Sequence, residues 1–127
     1  MANAALPHDH GQALEQSVER VPRVEEFEVA AQLFKQLGDP SRIRIFWLLC
    51  HCEECVINLS AMVGMSSPAV SHHLRQLKTA GLIVSRREGK EVYYKASAEA
   101  RAQLLHRMIE ALVEVACPLP GPCAPAR

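Results

Sequence analysis

Apolar residues recur three or four positions apart in four stretches of this 127-residue chain, the spacing that places them on one face of an α-helix. The first stretch predicts a helix over Val24–Leu37, which Gly38 ends. A second helix is predicted to begin at Asp39–Pro40, because an aspartate cap followed by proline suits a first helical turn. The apolar positions with helical spacing in the first helix are Phe27, Ala30, Ala31, Phe34 and Leu37, and the predicted buried face of the second helix consists of Ile43, Phe46, Trp47 and Cys50.

A further helix is predicted from Ser67 to about Ala80–Gly81, with Ser67 as its N-cap and Pro68 as its first helical residue. Its apolar stripe consists of Val70, Leu74 and Leu77. A short helix, Val56–Val63, precedes it, and the turn Gly64-Met65 joins the two. This arrangement predicts a helix-turn-helix whose second helix is the recognition helix.

Two β-rich runs, Leu82–Arg86 and Glu91–Lys95, flank a glycine-containing turn and predict a hairpin with a basic tip. Ser97 is expected to cap a final helix that runs to about Ala116, with Leu105, Met108, Leu112 and Val115 as its apolar stripe. The predicted fold is therefore mainly α with a small β-hairpin wing, a winged helix-turn-helix of the α+β class. A last helix with this apolar stripe needs a partner surface, and a symmetric dimer provides one.

Charge is concentrated in the predicted recognition helix and wing. Six cations and two carboxylates lie between Ser66 and Lys95, a net charge of +4 in a chain that is formally neutral. A basic segment in a neutral protein favours one surface that faces a polyanion. The candidate DNA-binding residues are Ser66, Ser67, Ser71, His72 and Arg75 in the helix, for bases and phosphates, and Arg86, Arg87 and Lys90 in the wing, for the flanking backbone or minor groove.

Several motifs together resemble the ArsR/SmtB family of bacterial winged-helix metalloregulatory repressors, over about Val24 to Ala116. They follow the family's order and spacing: Leu37-Gly38-Asp39-Pro40-Ser41-Arg42-Ile43-Arg44-Ile45, Cys55-Val56-Ile57-Asn58-Leu59-Ser60, Ser71-His72-His73-Leu74-Arg75-Gln76-Leu77, Gly81-Leu82-Ile83 and Gly89-Lys90-Glu91-Val92-Tyr93-Tyr94. The resemblance implies a homodimeric repressor, with its first and last helices in the dimer interface. Such a dimer would bind an imperfect inverted repeat of double-stranded operator DNA, with two recognition helices in successive major grooves.

Length and composition fit one soluble domain, since 49% of the residues are apolar and 22% are charged. We expect a flexible tail over residues 1–22, a DNA-binding and dimerisation domain over 23–116, and a proline- and cysteine-containing tail over 117–127. The N-terminus has no secretory pattern and no stretch of the chain has membrane-spanning length, so a cytoplasmic protein without a membrane partner is expected. Five cysteines in a reducing compartment favour metal binding or redox chemistry over a disulfide framework.

The segment Cys50-His51-Cys52-Glu53-Glu54-Cys55 holds three thiols, an imidazole and two carboxylates. Thiolates at this density suit Zn(II), Cd(II), Pb(II), Cu(I) or As(III), and the dipole of the following helix should favour the thiolate of Cys55. In similar family members this position reads Cys-Val-Cys-Asp, of which Cys55-Val56-Ile57-Asn58 keeps the first cysteine alone. Cys55 is therefore carried over from the resemblance, whereas Cys50 and Cys52 are proposed from their chemistry. Cys117, just beyond the last helix, is a candidate fourth ligand, either within one subunit or across the dimer, and Cys123 ranks below it.

The family's second sensor site is not conserved in this chain. Its Asp-x-His and His-x-x-Glu or His-x-x-His pairs fall on Ala98, Ala100, Ala111 and Glu114. His106 and Glu110 are four residues apart and able to chelate, but a surface pair is the simpler interpretation. His8 and His10 in the N-terminal tail are either ordinary polar residues or a ligand arm that reaches a metal site.

Other functions remain open at this point. One alternative is a reversible disulfide between two of the thiols, which would make the chain a redox-sensing repressor. Another is a DNA-binding protein without a metal inducer, in which the cysteines are inert or hold a permanent zinc. Cys52-Glu53-Glu54-Cys55 has the C-x-x-C spacing of thiol oxidoreductases, but the βαβ context of those enzymes is missing, so a non-enzymatic function is expected.

Overall fold

A computed structural model describes residues 21–117, together with Pro7, His8, His10 and Gly11. Within these residues the chain forms five helices and three strands. In chain order they are α1 (Val24–Gln36), α2 (Pro40–Leu49), β1 (Glu54–Cys55), α3 (Val56–Val63), α4 (Ser67–Thr79), β2 (Ile83–Glu88), β3 (Glu91–Ala96) and α5 (Ala100–Ala116). The predictions for most of the N-terminal tail and for Cys123 concern residues outside the described part of the chain.

The helix starts follow local capping chemistry, with one correction. Asp39 caps α2 as predicted, because its carboxylate accepts the Arg42 backbone N–H at 3.0 Å. Helix α4 is capped by Ser66, however, whose hydroxyl accepts the Ala69 N–H at 3.3 Å. Ser67 is already helical, and its hydroxyl lies 3.2 Å from that of Ser60 in α3. Ser66 and Ser67 are both suitable N-cap residues, and the hydroxyl of Ser67 instead contacts Ser60 across the α3–α4 turn.

A second correction concerns the start of the last helix. Glu99, not Ser97, is the N-cap residue of α5. The Ser97 hydroxyl accepts the Glu99 N–H at 3.1 Å, two residues on, and so forms a local turn before the helix begins. No helix among residues 21–117 is long and apolar enough to cross a membrane.

The hydrophobic core lies where α2, α3, α4 and α5 meet the base of the wing. Its buried members are Ile45, Phe46, Leu49, Leu59, Val63, Val70, Leu74, Leu77, Leu82, Ile83, Ala102, Leu105 and Ile109. Trp47 was expected in this core but is 37% exposed, with its indole N–H donating to Glu110 of α5 at 3.2 Å. The side of α2 that faces the core is occupied by Ile45, Phe46 and Leu49, so Trp47 lies beside this buried face at the surface.

The wing is a three-stranded antiparallel sheet in the order β1-β3-β2. The predicted hairpin is present, although β2 extends to Glu88 and β3 to Ala96. Strand β1 was not predicted: Glu54 pairs with Tyr94 and Cys55 with Tyr93 at the outer edge of β3. The cysteine segment is thus joined to the wing by main-chain pairing as well as by sequence.

Candidate DNA interface and cysteine segment

Helix α4 separates a buried face from an exposed polar face. Val70, His73, Leu74 and Leu77 are buried against the core. On the other face Ser66, Ser67, His72 and Arg75 are exposed and Ser71 is half-buried. The side chains of Ser71 and Arg75 make no hydrogen bond or ion pair within residues 21–117, so they are available to an outside partner.

His73 is a packing residue and takes no part in the exposed face. It is 8% exposed, and its Nε2 lies 3.9 Å from an Asp39 carboxylate oxygen at the start of α2. Burial lowers the pKa of His73, against the opposing effect of Asp39. The N–H of Arg42 lowers the pKa of Asp39, so the cap stays ionised. This contact connects the buried face of the recognition helix to the start of α2.

The wing cations are in different environments. Arg86 donates to both carboxylate oxygens of Glu53, at 2.8 and 3.1 Å, and to Glu88 at 2.7 Å. This forked contact lowers the pKa of Glu53. Arg87 and Lys90 are exposed near the β2–β3 turn, and Lys90 makes no hydrogen bond or ion pair in the described part of the chain. The tip of the wing therefore presents the positive charges of Arg87 and Lys90 to solvent, beside the exposed carboxylate of Glu91.

The recognition helix and the wing are tied together. Lys78 near the end of α4 donates to the Ser85 hydroxyl in β2 at 2.7 Å. The chain between them is short, and the Leu82 N–H donates to the Leu77 carbonyl at 3.0 Å. A polyanion on the α4 face can thus be contacted by the wing at the same time.

Three of the four predicted thiol ligands lie along one short segment, and the four differ in burial. Cys50 and Cys52 are half-buried and line a cavity of about 320 Å³, together with Glu53, Lys95 of β3 and His106 of α5. Cys55 is buried at the edge of the sheet, and Cys117 is exposed at the end of α5. These four cysteines are free thiols. Cys50 and Cys52 line the same cavity, but within residues 21–117 no three of the predicted thiol ligands have their Sγ atoms within 4.8 Å of one another.

The thiols of Cys50 and Cys52 are held in their neutral form. Burial, with a contribution from the charge of Glu110, raises the pKa of Cys50 to about 11. Burial and the charge of Glu54 raise the pKa of Cys52, whose Sγ also lies 3.2 Å from the Leu48 carbonyl. An ion that binds here must displace protons from both thiols.

One cluster of potential metal ligands has closely spaced donor atoms. Among the described residues, His51, His106 and Glu110 are the group of three or more ligand-type side chains whose donor atoms all lie within 4.8 Å of one another. The sequence placed His51 with the thiols and treated His106 and Glu110 as a surface pair. The spacing of four along α5 was the available signal, but a contact between residues 51 and 106 depends on how α2 packs against α5.

Comparisons with known proteins agree with this geometry. The profile described as "Bacterial regulatory protein, arsR family" matches residues 39–85. The "Transcriptional repressor SmtB homolog" of Synechocystis is 33% identical over 108 residues, covering 85% of this chain and 82% of that protein. The chain belongs to the ArsR/SmtB family of transcriptional regulators.

Two further proteins are similar to this chain. The "Cadmium resistance transcriptional regulatory protein CadC homolog" of Staphylococcus aureus is 38% identical over 78 residues, covering 61% of this chain and 64% of that one. The NMR structure of a homodimeric winged helix-turn-helix DNA-binding domain from Mycobacterium bovis is 27% identical, with a TM-score of 0.65 over 85% of this chain and 94% of that one. The predicted winged helix-turn-helix fold is confirmed.

Members of the ArsR/SmtB family are DNA-binding transcriptional regulators and not enzymes. The predictions of a DNA-binding regulator and of a non-enzymatic function are therefore confirmed. The individual DNA-contacting residues and thiol ligands stay predictions, since family membership does not identify them.

Proposed function

We propose that this chain is a cytoplasmic homodimeric repressor that binds an imperfect inverted repeat of operator DNA and is released by a thiophilic ion. Zn(II), Cd(II), Pb(II) and As(III) are the candidate inducers, and Cys50, Cys52, Cys55 and Cys117 the candidate ligands. The observation that carries the proposal is the exposed polar face of α4, where Arg75 has no partner within residues 21–117, beside a wing whose tip carries Arg87 and Lys90. Helices of this kind contact base edges while neighbouring cations bind phosphates.

Dimerisation is supported by apolar surface on the first and last helices. Phe27 and Phe34 of α1 and Leu112 and Val115 of α5 are all exposed in the single chain. An apolar groove of about 610 Å³ runs between Phe34, Ile43 and the end of α5. A continuous apolar surface of this kind on a small domain marks an interface, and a second copy related by a two-fold axis covers both helices at once.

The cysteine segment is placed where an ion can influence the DNA-binding elements. It begins at the end of α2, which packs against the recognition helix, and it ends in β1, paired with Tyr93 of the wing. Between these points Glu53 holds Arg86 of β2. A change in the path of this segment would therefore shift the wing relative to α4.

The donor set fits the proposed ions. Thiolates bind soft and borderline ions far better than oxygen ligands do, and the Staphylococcus aureus relative is named for cadmium resistance. A bound ion would supply a fixed cross-link among the thiols. The ion releases the repressor from DNA only to the extent that it binds the DNA-free geometry more tightly than the DNA-bound geometry. A difference of about 1–3 kcal/mol between these two binding free energies changes operator occupancy several-fold or more.

The DNA-binding half of the proposal is tested with Arg75→Ala. An operator is first selected from random double-stranded DNA with reduced protein, and affinities are then measured by fluorescence anisotropy at fixed salt. Loss of a base or phosphate contact should weaken binding by about 1–3 kcal/mol and leave the oligomeric state unchanged. Arg107→Ala, which removes the same charge from α5, is the matched control and should bind like the wild type. Equal affinities of wild type and Arg75→Ala would remove α4 as the recognition helix.

The inducer half is tested by titrating the protein–operator complex with each of the four ions. We expect one ion to release the wild type and to fail with Cys55→Ser, which should still bind the operator in the absence of ions. Full release of the Cys55→Ser variant from the operator by the same ion would show that Cys55 is not a ligand. Release by oxidation alone, reversed by dithiothreitol, would replace the metal inducer with a thiol switch.

A further inference from the structure

Three side chains from distant parts of the sequence converge between the end of α2 and the middle of α5. The Nε2 atoms of His51 and His106 are 3.1 Å apart. Glu110 Oε2 lies 3.3 Å from His106 Nε2 and 3.7 Å from His51 Nε2. Two nitrogens and one oxygen thus form a small triangle at the protein surface.

The fold holds each corner of this triangle. His106 and Glu110 are one turn apart on α5, so their side chains lie on the same face of the helix. His51 follows the last turn of α2, where its N–H donates to the Leu48 carbonyl at 2.9 Å, and its ring packs on the Trp47 indole with centroids 4.1 Å apart. The Trp47 indole N–H donates to the same Glu110 oxygen at 3.2 Å.

The dimensions of the triangle match those of a tetrahedral metal site. For Zn²⁺ with bonds of about 2.0–2.1 Å to nitrogen and oxygen, neighbouring ligand atoms in a tetrahedron are about 3.3 Å apart. The three observed separations, 3.1, 3.3 and 3.7 Å, lie close to this value. The side chains of His51 and Glu110 are about half exposed, which leaves the fourth coordination position open to water.

We propose that His51, His106 and Glu110 bind a divalent first-row transition-metal ion, Zn²⁺ or the chemically similar Co²⁺ or Ni²⁺. Imidazole suits these ions, whereas As(III) and Pb(II) prefer thiolates. Trp47 is a positioning residue, because its hydrogen bond holds the ligand oxygen of Glu110. The site uses nitrogen and oxygen ligands and goes beyond the thiol-based inducer site proposed above.

The α5 ligands lie away from most of the exposed apolar residues of that helix. Leu104, Leu112 and Val115 share one side of α5, and at about 100° per residue His106 and Glu110 lie roughly opposite them, whereas the exposed Val113 lies on the same side as His106. All three ligands come from one protomer. A bound ion would cross-link α2, which supports the recognition helix, to the helix proposed to form the dimer interface.

The test uses Co²⁺ as a spectroscopic probe on the full-length, reduced chain without DNA. In a variant with Cys50, Cys52 and Cys55 replaced by serine, we expect one Co²⁺ per protomer, with the visible bands of a four-coordinate ion and no sulfur-to-cobalt charge transfer. His106→Gln in that background should weaken Co²⁺ binding by roughly 10–100-fold or more. Loss of a residue that only hydrogen-bonds to a metal ligand already costs that much, and His106 is a ligand itself. Trp47→Phe should weaken Co²⁺ binding by roughly 10–100-fold. His72→Gln, at an exposed histidine of α4, is the control and should bind like its parent.

A second measurement keeps the thiols in place, in case the serine variant does not fold. Imidazole NMR of the wild type with Zn²⁺ should shift the Nε2 resonances of His51 and His106 and leave that of His72 unchanged. Unshifted His51 and His106, or undiminished Co²⁺ binding by His106→Gln, would overturn the site. Neither readout involves DNA, and both report on the histidines, so their failure leaves the repressor proposal standing, and failure of operator release leaves this site standing.

Discussion

At the scale of single residues, His73 connects protonation to folding. Its ring is buried on the inner face of α4, and the ionisable groups that act on it are Asp39, Arg42 and His72. Burial dominates and keeps the ring neutral in the folded protein, although Asp39 favours the charged form. The unfolded chain has no such restriction and takes up a proton at an ordinary histidine pKa of 6.5.

Acidification should therefore destabilise the fold through His73. As the pH falls below about 6.5, the unfolded state binds more protons than the folded state, so the free energy of unfolding decreases. The lowered pKa of Asp39 acts with the same sign, but only as the pH approaches and falls below its ordinary value of 3.8. We expect His73→Gln to flatten the loss of stability between about pH 7 and pH 5.

Urea unfolding at several pH values, followed by circular dichroism, measures this slope. His72→Gln removes only the smaller effect of the adjacent exposed imidazole on His73 and should flatten the slope less than His73→Gln does. An unchanged slope in His73→Gln, or an equal flattening in both variants, would show that burial of His73 does not govern the acid response.

At the scale of elements, the turn of the helix-turn-helix depends on one glycine. Gly64 ends α3 with φ of 69°, in the left-handed region, and nothing lies within 4 Å of the position a Cβ would take. An alanine there meets no neighbour, so its cost is that of the backbone conformation alone. We expect Gly64→Ala to lower the free energy of unfolding by about 1–2 kcal/mol.

Gly38 provides the matched comparison. It joins α1 to α2 without a positive φ, and an added Cβ would make an ordinary contact with the Lys35 carbonyl at 3.4 Å. Gly38→Ala should leave stability nearly unchanged or raise it slightly, because alanine restricts the unfolded chain. Chemical denaturation of both variants checks the difference, and equal effects would contradict the assigned role of the left-handed turn.

The elements that sequence predicted well are those with local signals. Asp39 before Pro40 marks the start of α2, and the period of Val70, Leu74 and Leu77 sets the buried face of α4. Strand β1 has no such signal, since two residues are too few for a period and their pairing with Tyr93 and Tyr94 is set by the fold. The same reason explains Trp47, whose exposure depends on how α2 meets α5.

At the scale of the whole molecule, the candidate sites also combine features that the sequence predicts with features that depend on the fold. The polar face of α4 followed from helical spacing, and the concentration of thiols between residues 50 and 55 was visible in the sequence. The meeting of His51 with His106 and Glu110 was not, because 55 residues separate the two histidines along the chain. The ion pair between Glu53 and Arg86, which links the thiol segment to the wing, likewise required the structure.

Assembly is the remaining property at this scale, and Leu112 tests it. Its side chain is 66% exposed on the apolar side of α5, where the proposed dimer interface lies. Leu112→Glu places a charge in that interface, so we expect a monomer at concentrations where the wild type is a dimer, measured by analytical ultracentrifugation. A monomer loses the gain from binding two half-sites together, so operator affinity should fall by roughly 10²–10⁴-fold.

Ile57→Glu is the matched control, since Ile57 of α3 is 67% exposed and lies outside α1 and α5. It introduces the same charge at an equally exposed apolar residue and should leave the dimer intact. If Leu112→Glu also stayed dimeric, the exposed stripe of α5 would not be the interface. If both variants became monomeric, the effect would be one of added charge and not of position. Loss of the dimer in Leu112→Glu alone would connect the apolar period of the last helix to recognition of a two-fold repeat in DNA.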